Sequence, residues 1–236
     1  MHTEELEPGF LARPDPGRHP GVVMVHDVWG VTDHTRDMAR RLAGEGYCVL
    51  AVNLYRRERD VRIENPGAWM RALDDPRILA DLQSAVDLLR ARPDVGPSVG
   101  ITGFCMGGMY TLMAACQVRG LAAAAPFYGL LSHSRGLLHD PKGLDPARKP
   151  REPLAMAHAL RCPLLAFFGA DDEFIPVVEV RQLERELARS GQPFEVVVYP
   201  GAGHAFMNDT RPAAFRPESA RDAWGRLLRF FGERLR

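Results

Sequence analysis

The six residues Gly103-Phe104-Cys105-Met106-Gly107-Gly108 constrain this chain more than any other stretch. The run before them, Ser98–Gly103 (SVGITG), reads as a strand, and Met106–Arg119 reads as a helix. A thiol placed between the two, in the pattern G-x-nucleophile-x-G, demands a tight and strained turn. Its neighbours must lack bulk so that strand and helix can approach closely. The sulfur then projects at the carboxyl end of a sheet, where open α/β folds place their sites. The dipole of the helix beginning at Met106 favours a thiolate there, as would a neighbouring imidazolium. A buried structural role is the commoner fate of a cysteine, and it is the reading for Cys48, Cys116 and Cys162. For Cys105 the context reverses it.

The rest of the chain fits a mostly parallel sheet with crossover helices, because short apolar runs alternate with longer segments of helical period. Gly21–His26, Tyr47–Val52, Leu121–Tyr128, Cys162–Phe168 and Phe194–Tyr199 read as further strands. Asp33–Gly46, Asp75–Arg92, Val177–Ser190 and Pro217–Leu235 read as helices, with Gly46 a C-cap and Pro76 opening the second. Asn53–Leu73 reads as a long, partly ordered loop, and Leu130–Pro153 as an insertion near the active site. Neither repeats nor a linker interrupts residues 1–236, so a single α/β domain is expected.

A base and an orienting acid should follow the nucleophile in the order nucleophile, acid, histidine. Gly169-Ala170-Asp171-Asp172-Glu173-Phe174-Ile175-Pro176 forms an acidic loop after one strand, and Gly201-Ala202-Gly203-His204-Ala205-Phe206 a glycine-rich loop after the next. An imidazole at His204 could take the thiol proton and return it to the leaving oxygen. Asp171 and Asp172 compete for the orienting role, since either could cap the helix that starts near Pro176. The spacing to Ile175-Pro176 favours Asp172.

Composition narrows the partners. Lys plus Arg number 30 and Asp plus Glu number 30, so no global field favours nucleic acid or an anionic membrane. No apolar run approaches the ~20 residues that span a bilayer, and the opening MHTEELEPGF lacks the pattern of a secretory signal. The four cysteines form no zinc-ligand or disulfide pattern. A cytoplasmic, reduced protein that needs neither metal nor cofactor is expected, as a monomer or small homo-oligomer.

The stretches GVVMVHDVWGV, GYCVLAVNLY, GFCMGG, GADDEFIP and GAGHAFMND resemble the dienelactone hydrolase (carboxymethylenebutenolidase) family. Cysteine in the elbow is the most specific of them. The resemblance implies the α/β-hydrolase fold, Cys105 as nucleophile, Asp172 as triad acid and His204 as base. It also implies an acidic residue at Asp27 and oxyanion-hole amides at Val28 and Met106. The expected substrate is an enol lactone or activated ester. A broad carboxylesterase is the alternative, and a non-catalytic small-molecule binder with a redox-sensitive thiol a third reading from another class. His26, Trp29, Trp69, Phe127, Tyr128 and Phe206 are candidates for a pocket wall that core packing would explain equally well, His26 more readily as structural. His133, His139 and His158 read as solvated, and Arg56-Arg57-Arg59-Arg62 as an exposed loop.

Overall fold

Eight strands form one sheet in the order β1-β2-β4-β3-β5-β6-β7-β8 in the computed structural model, which describes residues 1–236 throughout. The strands are β1 (His2–Leu6), β2 (Gly9–Arg13), β3 (His19–Val25), β4 (Cys48–Val52), β5 (Val95–Phe104), β6 (Leu121–Phe127), β7 (Leu164–Gly169) and β8 (Phe194–Tyr199). All neighbours from β4 through β8 pair in parallel, while β1–β2 and β2–β4 are antiparallel. The direction of winding reverses between β3 and β5, which opens a crevice at their carboxyl ends. The helices are α1 (Asp33–Gly44), α2 (Pro66–Ala72), α3 (Asp75–Ala91), α4 (Met106–Gln117), α5 (Pro153–Met156), α6 (Val177–Ala188) and α7 (Pro217–Leu235). None is long and apolar enough to cross a membrane.

The six expected strands and five expected helices all form, with ends shifted by a few residues. The hairpin β1–β2 is an addition. Its outer strand, HTEEL, is exposed along nearly its whole length, so it carries no apolar alternation to read. Two helices are also additions, the single turn α5 and, inside the stretch expected as a loop, α2. Pro66-Gly67 looks like a break, but proline fits the first helical turn, where its missing N–H has no carbonyl to meet. Asn65 caps that turn by accepting the Ala68 N–H.

Residues 130–153 leave the end of β6 and pack beside α2 and α3. They carry a buried polar cluster that corrects the reading of His133 as solvated. Lys149 Nζ donates to Asp75 Oδ1 at 2.5 Å, and the Tyr110 hydroxyl donates to the same oxygen at 2.8 Å. His133, only 2% exposed, places Nε2 3.4 Å from Asp75 Oδ2. Burial pulls both the Lys149 ammonium and the His133 imidazolium below their ordinary values, and the charge of Asp75 offsets this. The segment is thus pinned to the first turn of α3 and to α4, the helix that follows the elbow. The arginine loop is also anchored in part: Arg56 and Arg57 both donate to the buried carboxylate of Asp81 on α3.

Candidate active site

Cys105 sits between β5 and α4 with φ 57° and ψ −117°, a backbone region that costs a non-glycine residue about 1–3 kcal/mol. Its glycines explain how the chain tolerates that turn. A Cβ on Gly103 would lie 2.4 Å from the Gly107 carbonyl oxygen, and one on Gly107 would lie 2.2 Å from that of Val25. Strand β5, helix α4 and strand β3 therefore touch backbone to backbone, which no side chain would permit. The non-glycine residues at positive φ are Cys105, Tyr128 and Ala205, and all three line one cavity. Strain is concentrated where the reactive groups converge.

The other two residues of the expected triad arrive from the next strands along. Asp172 follows β7 and is buried; its Oδ1 accepts the Phe174 N–H at 2.9 Å and its Oδ2 meets His204 Nδ1 at 2.9 Å. Asp171 instead ties the two loops through its backbone, donating to the Ala202 carbonyl at 2.9 Å. Of the two aspartates, the one whose carboxylate lies on the imidazole is Asp172. The imidazole is clasped edge-on by Tyr128 and Phe174, with ring centroids 5.2 and 5.0 Å away. With Nδ1 committed to Asp172, Nε2 is the nitrogen left for Cys105. Burial works against a charged ring, but the Cys105 sulfur, by charge and hydrogen bond, and Asp172 together outweigh it and push His204 up to about 10. The other three thiols are buried, and desolvation raises Cys48 to about 11 and Cys116 and Cys162 to about 12.

The cavity over Cys105 is small, about 30 Å³, and is bounded by Asp27, Trp29, His34, Thr35, Met38, Phe104, Tyr128, Asn208 and Arg211 among others. A far larger cavity of about 850 Å³ lies at the opposite end of α4 beside Cys116, Arg151, His158 and Arg161, but its thiol is buried, with desolvation holding it protonated, and His158 Nδ1 is turned to the Ala155 carbonyl at 2.8 Å. Chemistry, not volume, makes the elbow the candidate site.

Asp27 and Trp29 reach the cavity as expected; Asp27 Oδ1 accepts the Trp29 N–H at 2.9 Å, and Arg211 lies over the Trp29 ring at 5.6 Å. His26 and Phe206 do not. His26 is fully buried, and its Nε2 accepts the Leu54 N–H at 3.1 Å, lacing the end of β3 to the end of β4. Phe206 is buried edge-on against Tyr128 and Tyr199 beneath the site. Phe127 stacks on Phe167 at 4.4 Å in the core, and Trp69 packs against Tyr55. Missing from the sequence reading were His34, Thr35 and Met38 of α1. Their helical period was legible, but nothing in it shows that the first turn of α1 faces the elbow. Val28 is buried in the loop after β3, and Met106 is the first residue of α4, so its N–H has no intrahelical carbonyl to meet.

A parallel sheet carrying a strained nucleophile elbow, with an acid and a histidine on the two succeeding strand ends, makes this molecule an α/β-hydrolase. Residues 8–235 match the model of the dienelactone hydrolase family, and the chain belongs to that family. It is 34% identical to the "Putative carboxymethylenebutenolidase" of Escherichia coli (strain K12) over 231 residues, covering 95% of this chain and 81% of the relative. It is 30% identical to the "Probable 2-oxo-3-(5-oxofuran-2-ylidene)propanoate lactonase" of Bradyrhizobium sp, over 93% of this chain and 86% of that one. The crystal structure of a "Putative Dienelactone Hydrolase" from Klebsiella pneumoniae subsp. pneumoniae MGH 78578 superimposes with a TM-score of 0.84 at 35% identity, covering 94% of this chain and 91% of that one. The chain is accordingly a hydrolase of ester or lactone bonds.

Proposed function

We propose that the protein cleaves enol lactones and activated esters through a Cys105–His204–Asp172 triad, in a reducing, cytoplasmic setting. The observation that carries this reading is the convergence in one cavity of a strained thiol and a histidine hydrogen-bonded to a buried aspartate. The Cys105 thiolate adds to the carbonyl carbon, and the carbonyl oxygen becomes an oxyanion facing the amides of Val28 and Met106. The imidazolium of His204 hands its proton to the departing oxygen. The resulting thioester is then hydrolysed by a water whose proton passes to His204; the second tetrahedral intermediate releases the acid and expels the sulfur, which restores the thiolate–imidazolium pair. Asp172 holds the ring in the tautomer that points Nε2 at the sulfur.

Sulfur chemistry narrows the substrate. A free cysteine ionises near pH 8.5, whereas an alkoxide approaches hydroxide in basicity, the pKa of water being about 15.7. A tetrahedral intermediate made by thiolate on an alkyl ester therefore expels sulfur and reverts. Where the leaving oxygen is an enolate or phenolate, it departs instead. The lactonase name of the Bradyrhizobium relative points the same way. The test compares kcat/KM for matched phenyl and ethyl esters and an enol lactone on the wild type, Cys105→Ser and Cys105→Ala. Phenyl and enol substrates should greatly outpace ethyl esters, amides should be inert, and Cys105→Ala should be inactive. Equal rates on ethyl and phenyl esters would replace the lactonase reading with that of a broad esterase.

A further inference from the structure

The two amides proposed to face the oxyanion come from different strand ends, and a single side chain touches both residues that carry them. The hydroxyl of Tyr55, just beyond β4, donates to the Val28 carbonyl at 2.9 Å and lies 3.3 Å from Met106 Sδ. A phenol has one proton, and the carbonyl is the better acceptor, so the sulfur is a packing contact. The peptide joining Val28 to Trp29 is then held at both ends. Its C=O accepts from Tyr55, and its N–H donates to Asp27 Oδ1 at 2.9 Å. The preceding peptide, which carries the Val28 N–H, is held through its own carbonyl, since Asp27 O accepts from His26 Nδ1 at 2.5 Å and from the Gly30 N–H at 3.3 Å. With both planes tied, the Val28 N–H keeps one direction. Tyr55 is itself fixed: its N–H donates to Asn53 Oδ1 at 3.0 Å, and its ring is wedged edge-on between His26 and Trp69, with centroids 4.8 and 5.5 Å away. It is only 3% exposed, and burial pushes its phenol up, so it remains a donor at any working pH.

We propose that Tyr55 is a positioning residue of the oxyanion hole, its hydroxyl locking the loop that carries the Val28 amide against the residue that carries the Met106 amide. Tyr55 touches no reacting atom. Its effect lies in preorganisation: donors act on an oxyanion only when they already stand about 2.7–3.1 Å from where it will form. The inference rests on the thiol-hydrolase reading above, and the experiment separates the two.

Tyr55→Phe keeps the ring and removes the hydroxyl. Two probes of Cys105 then discriminate. Phenyl trifluoromethyl ketone forms a thiohemiketal whose oxyanion occupies the hole; iodoacetamide alkylates the same sulfur by displacement at carbon and forms no oxyanion. In Tyr55→Phe, ketone affinity and kcat on a phenyl ester should each fall about tenfold, with KM and the alkylation rate within about twofold of wild type. A parallel fall in ketone affinity and alkylation would mean general loosening of the site and would overturn the proposal. So would no change in either. If the wild type forms no ketone adduct at Cys105, the hydrolase reading fails and this inference falls with it. A normal wild-type adduct with an unaltered Tyr55→Phe sinks the Tyr55 role alone.

Discussion

Replacing Cys105 by alanine should discharge His204, and the size of the effect follows from the site. The lift of the imidazole from 6.5 to about 10 amounts to roughly 5 kcal/mol of preference for the charged ring, at about 1.4 kcal/mol per unit. The side chain is only 14% exposed, so solvent screens little of this. Among the causes, burial opposes the charge, and the sulfur is the first of those that support it, followed by Asp172. Cys105→Ala leaves burial in place and removes the leading support, so the imidazole should titrate clearly lower than in the wild type. Long-range proton–nitrogen correlation spectra of the histidine rings, recorded across pH 5 to 11, would follow both proteins. In the wild type the imidazolium should persist to about pH 10, and kcat/KM should fall only as that proton is lost. The linkage has a definite sign. A histidine raised in the folded state contributes stability that is complete below its unfolded value of 6.5 and vanishes as pH climbs toward about 10. That contribution should shrink in Cys105→Ala. If His204 titrates within half a unit of wild type in the alanine variant, the sulfur does not charge the ring and the argument is refuted.

Asp172→Asn should lower kcat by several orders of magnitude while Asp171→Asn stays near wild type, because only Asp172 reaches the imidazole and Asp171 acts through its backbone; equal losses in steady-state assays would contradict that division. Lys149→Met should cost about 3–5 kcal/mol in urea denaturation by leaving Asp75 buried without its cation, and adding Asp75→Asn should return much of the loss. A cost under about 1 kcal/mol would show that the pair is not the anchor of residues 130–153.

The parts of this site that can be read from sequence are those where chain order dictates geometry. GFCMGG announces its own strained turn, and the two loops at 169–176 and 201–206 follow strands whose apolar runs are unmistakable. What stays hidden depends on which element lies beside which. His133 looks like a loop residue until Asp75, 58 positions earlier, is seen against it. Tyr55 is one aromatic among several until its hydroxyl is found on Val28, 27 positions away. His26 and Phe206 adjoin the site loops in sequence yet pack into the core, His26 turned to the Leu54 N–H and Phe206 to the rings of Tyr128 and Tyr199. The first strand escapes because an edge that is solvated on both faces has no pattern to impose.

The order of the strands also dictates when reactivity can appear. Cys105 hangs on β5 near the middle of the sheet, while His204 follows β8, the outermost strand, which only β7 holds. A ribosome delivering this chain from its amino end presents the thiol about a hundred residues before the imidazole proposed to activate it. Until β8 docks, the elbow carries a sulfur without a base, shielded from premature acylation or oxidation by simple incompleteness. Under the proposed triad, the nucleophile is thus armed late in the chain, once β8 has docked on β7 and with only α7 left to pack against β5, β6 and β7.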